Sequence, residues 1–244
     1  MIRNSGNPVF KQINKMEYEQ TGMQAATYSG VGLKTLYYLI VTVAGVFLGL
    51  FLLYNNPDAL VIALVPSLIV GLISAIVAMR SYKLALVFGT IYCLCEGLVL
   101  GLLSLLCEEF YPGIVITTVA VTMSIVLVCA LCFITGLVKI TKKFYRFLTI
   151  FALGFMVSML LMFIFSLLGF LVEISWPVYL LIGGMSCLLA TFFLMADMDQ
   201  AYQLVTNGGP KEFEWMVSFG IAYTVLWIYL EVLRFLVVIM GHRN

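Results

Sequence analysis

Residues 194–241, LMADMDQAYQLVTNGGPKEFEWMVSFGIAYTVLWIYLEVLRFLVVIMG, decide the fold. Two acids, Asp197 and Asp199, close one apolar segment, a turn of Asn207-Gly208-Gly209-Pro210 follows, and a second apolar segment carries Glu231 and Arg234 inside it. Lipid does not solvate charge, so an ionisable side chain within such a run is costly and marks a working site by default. The rest of the chain reads as a cage around these residues.

Of the 244 residues, 63% are hydrophobic and only 10% charged, with a mean hydropathy of +1.11. That is more apolar surface than a soluble domain of this length could bury, and the chain is read as an all-α integral protein of the lipid bilayer. Thirteen basic and twelve acidic residues leave a net charge of +1, which gives no reason to expect nucleic acid or an acidic substrate. Cys93, Cys95, Cys107, Cys129, Cys132 and Cys187 all fall in or at the ends of apolar runs, where cysteine acts as a small hydrophobe. Cys129-x-x-Cys132 has no second pair or histidine beside it, so no resident metal, redox role or cofactor is expected.

Crossing the hydrocarbon core as a helix takes about 20 apolar residues. Seven such windows can be drawn, at 35–54, 59–79, 84–107, 113–137, 144–171, 177–198 and 213–240. A polar arm, residues 1–34, precedes a transmembrane domain of residues 35–244, and the mixed character of the arm leaves membrane insertion to the first helix itself. The breaks carry turn and charge signals, among them Asn55-Asn56-Pro57-Asp58 and the Lys139–Arg146 cluster, and are short enough to make neighbouring helices antiparallel.

Orientation follows from the basic residues. Arg3, Lys11, Lys15 and Lys34 precede the first window, Arg80 and Lys83 follow the second, Lys139, Lys142, Lys143 and Arg146 follow the fourth, and Lys211 follows the sixth. Eleven of the thirteen therefore lie on one side, while the opposite loops hold Asp58, Glu108, Glu109 and Glu173 and no basic residue. The N-terminus is expected in the cytoplasm and the C-terminus outside. Gly45-x-x-x-Gly49, Gly71-x-x-x-Ala75 and Gly97-x-x-x-Gly101 have the spacing that lets helix backbones approach closely in lipid, and packing alone accounts for them.

Six charges lie within or at the end of an apolar window: Arg80, Glu96, Asp197, Asp199, Glu231 and Arg234. Glu96 stands about 20 Å along a helix from Lys83, and Glu231 about 24 Å from Trp215, so both are well inside the membrane and could meet, with Arg234 on the Glu231 face. Burial and a second carboxylate favour the neutral form of an acid, whereas a guanidinium favours the charged form, so such a group could act as a proton-sensitive latch or line a cation path. The plainer reading is a neutralised structural pair of Glu231 and Arg234.

The DMDQ at 197–200, the turn, and the EW, GI and VLWIYLEVLRFL elements between Glu214 and Leu236 resemble the C-terminal signature of the Bax inhibitor family. The Asn7-Pro8-Val9 arm and EGLVLGLLS at 96–104 are similar to its bacterial branch, and the resemblance spans nearly the whole chain. It implies seven helices, six around a central C-terminal one, in a bacterial cytoplasmic membrane, and a pH-sensitive calcium leak. It also implies that Asp197 and Glu231 are the paired acids, a transient site for permeant Ca²⁺, and that Arg80 is the latch released on their protonation. The sequence departs from the family pattern in having Glu rather than Asp at 231 and a longer connection between the last two helices.

Straight-helix arithmetic sets Asp197 near the membrane face, apart from Glu231. Either the sixth helix continues past Asp199 to about Thr206 and carries the acids deeper, or Glu231 pairs with Glu96 and Arg234 while Asp197 and Asp199 pair with Arg80. A regulator that binds another membrane protein, such as a membrane-anchored protease, is the alternative to a leak. An enzyme is not expected: neither acid has an adjacent Gly-x-Gly-Asp, and the single histidine, His242, sits at the tail. No lysine in the seventh window could hold a retinal.

Overall fold

The computed structural model describes residues 24–135, 140–168 and 175–242. Arg3, Lys11, Lys15, Lys139, Glu173, Arg243 and the Asn7-Pro8-Val9 arm lie outside the described residues. The helices are α1 (Tyr28–Asn55), α2 (Pro57–Arg80), α3 (Ala85–Phe110), α4 (Ile114–Ile134), α5 (Lys142–Leu167), α6 (Trp176–Thr206) and α7 (Glu214–Gly241), with a 3-10 turn at Lys211–Phe213. All seven elements are long and apolar enough to cross a bilayer. Among the described residues there is no strand, only an isolated bridge between Ala25 and Pro210.

The first three helices and the sixth run past their apolar windows, because helix ends are set by capping rather than by hydropathy. Thr27 caps α1, its hydroxyl accepting from Gly30 N at 3.0 Å, so the helix starts at Tyr28 and Lys34 falls in its second turn. Pro57 opens α2 where its missing N–H costs nothing. Glu108 reaches across the α3–α4 turn to accept from Gly113 N at 2.6 Å and Val115 N at 2.9 Å, which supplies the N-terminal acceptor that Gly113 itself lacks. The sixth helix runs to Thr206, the first of the two alternatives left open by the sequence. It stops where Gly208 takes φ 65°, with Gly208 N bonded to Val205 O at 3.1 Å and Gly209 N to Leu204 O at 2.9 Å, a glycine C-terminal cap.

The chain divides into two compact units, the residues up to Leu102 with Asp199–Ala222, and Leu103–Met198 with the chain from Tyr223 onward. In the first, the two glycine motifs face one another. A Cβ on Gly45 would lie 3.1 Å from Gly97 Cα, one on Gly97 would lie 3.0 Å from Gly45 Cα, and one on Gly101 would lie 3.1 Å from Val46 O. The α1 and α3 backbones therefore touch, as small residues permit. Tyr38 locks the same crossing, lying over Gly89 and donating its hydroxyl to Ala85 O at 2.8 Å while fully buried. A Cβ on Gly71 would lie an ordinary 3.5 Å from Cys95 Cβ, so the third motif makes a looser approach.

In the second unit, Ser104, the last residue of the EGLVLGLLS stretch, shares a 2.6 Å hydrogen bond with Tyr229 of α7. Trp176 donates to Val238 O at 3.4 Å and stacks on His242 at 4.2 Å. Leu148 is the buried residue of α5, and Ile150, Leu153, Val157, Leu160 and Ile164 are exposed. Such a run suits lipid and would be a liability in water.

Candidate functional site

The site is the α6–α7 pair. Asp197 lies nine residues before the end of α6, so the extension to Thr206 carries it about 13.5 Å from the helix terminus. Its carboxylate accepts from the Thr224 hydroxyl of α7. Lower on the same two helices, a Cβ on Gly183 would come within 2.8 Å of Phe235, so α6 and α7 run antiparallel and close. Tyr145 of α5 donates to Ala196 O at 3.2 Å, beside Asp197.

Thr224, Trp227, Glu231 and Arg234 follow the i, i+3, i+7, i+10 spacing of one face of α7. Trp227 donates its indole N–H to Glu231 Oε1 at 3.1 Å, and Arg234 Nη2 lies 2.6 Å from Glu231 Oε2. No N–H points along that second approach, so Oε2 is held by charge rather than by a directed hydrogen bond. The Arg234 side chain is 52% exposed and that of Glu231 only 11%. The pair is asymmetric, with a buried acid reaching an outward cation. Among the described residues, two further buried hydroxyls of this unit, Thr122 Oγ1 and Ser186 Oγ, have no hydrogen-bond partner.

Asp197 and Glu231 thus sit at different levels of one helix pair. The Thr224 partner of Asp197 is seven residues before Glu231, about 10.5 Å along the axis, with the Trp227 ring between them packed against Phe193. Asp199 is buried in the first unit and accepts from Gln203 one turn on. Glu96 is half-buried on α3, and Arg80 ends α2 with its side chain exposed. The expected Glu231–Arg234 pair is present. Among the described residues, no three His, Cys, Asp or Glu side chains gather as a metal site.

Reading the sequence missed Thr224 and Trp227, which carry no charge, and also Glu214. That acid is fully buried in the first unit, accepts from Thr27 N at 2.7 Å and from Lys34 Nζ at 2.6 Å, and places negative charge at the N-terminus of α1. Gly30 admits it, since a Cβ there would stand 2.6 Å from the Glu214 carboxyl carbon. An acid at the head of an apolar run reads as an interface charge, and its partners lie 180 and 187 residues away.

Seven bilayer-length helices, with carboxylates on the facing sides of the last two, define a polytopic membrane protein with ionisable groups inside its span. The sequence matches the Bax inhibitor 1 like family over residues 7–241, and the chain belongs to that family. Comparison with curated proteins returned no match.

Proposed function

We propose that the protein is a proton-regulated cation leak, with Ca²⁺ the favoured ion, in a bacterial cytoplasmic membrane. The observation that carries this reading is the separation of Asp197 and Glu231 on one helix pair, each held by different neutral donors and two turns apart. A hard cation prefers carboxylate and hydroxyl oxygens, and tight sites gather six to eight of them. Single carboxylates at two levels suit an ion that pauses and moves on. Protonation changes each level differently. An ionised Asp197 only accepts, so on taking a proton it becomes a donor toward Thr224, whereas Glu231 on neutralisation loses its charge contact with Arg234.

Within this reading α7 is the central helix, supported by Met216, Val217, Ser218 and Phe219, four successive buried residues that cover a full turn. Arg80 as latch, Glu96 and Asp199 as further pathway acids, and a cytoplasmic N-terminus belong to the same proposal, the last supported by the distribution of basic residues. No enzymatic step is part of it.

The test is acid-dependent Ca²⁺ entry into liposomes that contain the purified protein and a trapped dye. Flux is expected to rise as the outer pH falls, Asp197→Asn and Glu231→Gln are expected to change its pH profile, and Glu109→Gln is expected to leave it unaltered. Flux absent at every pH, or equal in all four proteins, refutes the leak.

A further inference from the structure

At one end of the first unit, the second turn of α1, the α2–α3 turn and the α6–α7 turn enclose a recess of about 680 Å³. Its wall carries three ammonium groups, those of Lys34, Lys83 and Lys211, against one carboxylate, Glu212. Glu214 lies behind Lys34 and already holds it at 2.6 Å, and Lys34 also stands 4.8 Å over the Trp215 ring. Lys34 is therefore committed to the wall. Lys83 and Lys211 are exposed, and together they exceed the charge of Glu212.

Both are held in place. Lys83 Nζ lies 5.8 Å over the ring of Tyr82, which stacks at 4.6 Å on the fully buried Phe213. Lys211 Nζ donates to Gln24 Oε1 at 2.9 Å, which leaves two of its three N–H groups to turn into the recess. An ammonium is a point-charge partner for phosphate. The remaining wall is apolar: Leu86 lines the recess, and Leu84 and Val87 beside it are exposed at 43% and 54%. A ligand that carries both an anion and hydrocarbon matches a basic recess with an apolar lip.

We infer that this recess binds a phosphate ester, the headgroup of an anionic phospholipid, with Lys83 and Lys211 on the phosphate and Leu86 against the glycerol and first acyl carbons. The site is independent of any leak. Basic recesses at helix ends take anionic headgroups, and each lysine near such a surface contributes about a fivefold gain in binding.

Detergent-purified full-length protein is titrated with phosphatidylglycerol and, separately, phosphatidylcholine, and bound lipid is counted by native mass spectrometry. Phosphatidylglycerol is expected to bind at least about tenfold more tightly, and Lys83→Gln/Lys211→Gln to weaken it by roughly ten- to thirtyfold while leaving phosphatidylcholine unchanged. Leu86→Trp, which keeps every charge and fills the recess, is expected to abolish the preference, and it decides the matter if the double variant does not fold. Lys83→Arg/Lys211→Arg should retain binding. Displacement of the lipid by millimolar glycerol 3-phosphate or inorganic phosphate overturns the lipid as ligand in favour of a free phosphate. Equal binding of both lipids, or phosphatidylglycerol binding unchanged in both disruptive variants, overturns the site.

Discussion

Charge in this chain is settled one side chain at a time, and Glu214 is the clearest case. It is fully buried, accepts from Thr27 N and Lys34, and lies at the positive end of the α1 dipole. Removing one partner of a buried pair strands the other, at a cost of about 3–5 kcal/mol, whereas replacing both with apolar groups of similar volume is often near neutral. Glu214→Ala and Lys34→Ala are each expected to lower the melting temperature in detergent, and Lys34→Met/Glu214→Leu to recover much of the loss. A double variant less stable than both single ones would contradict this account. Neither residue stood out in the sequence, because each resembles an ordinary interface charge and pairing across 180 positions leaves no local trace. Glu231 and Arg234 were legible because three-residue spacing on a helix brings them together without the rest of the fold.

Helices obey two separate requirements here, and the sequence displays only one of them plainly. Apolar length set by the bilayer revealed all seven spans, while their ends were obscured because backbone hydrogen bonding does not stop where hydropathy falls. The mixed polar and apolar residues 199–206 continue α6 until Gly208 takes its left-handed conformation, and that continuation sets Asp197, opposite Thr224, well inside the helix. The glycine motifs were legible as packing surfaces but not as partners. Gly45 and Gly97 prove to meet each other, so Gly97→Val must force α1 and α3 apart. Overpacking of this kind typically costs about 1–3 kcal/mol, and more where backbone is the obstacle. Gly154, in the middle of α5 with nothing within 4 Å of an added Cβ, is the control. Gly154→Ala is expected to be neutral or to gain up to about 1 kcal/mol from helix propensity. Thermal unfolding of the two variants side by side checks both expectations, and equal effects would remove the α1–α3 contact as an explanation.

For the molecule as a whole, the distribution of basic residues makes a prediction that cysteine labelling can read. In a cysteine-free background, Ser81→Cys in the α2–α3 turn and Asp58→Cys at the start of α2 should react with membrane-impermeant reagents from opposite faces of intact cells, with Ser81→Cys protected until the membrane is opened. Reaction of both from outside would invert or discard the orientation. One further consequence concerns the order in which the protein is made. Ala26 N bonds to Gly209 O at 2.8 Å, Lys211 N to Gln24 O at 2.9 Å, and Thr27 N to Glu214 at 2.7 Å, so the entry to the first helix is closed by the chain just before the last. A ribosome delivers these partners some 187 residues apart. Until the final hairpin emerges, Ala26 and Thr27, the two residues just ahead of the first helix, lack the partners that later answer their amides, and a nascent chain halted after α6 would display that open end to whatever surveys unfinished membrane proteins.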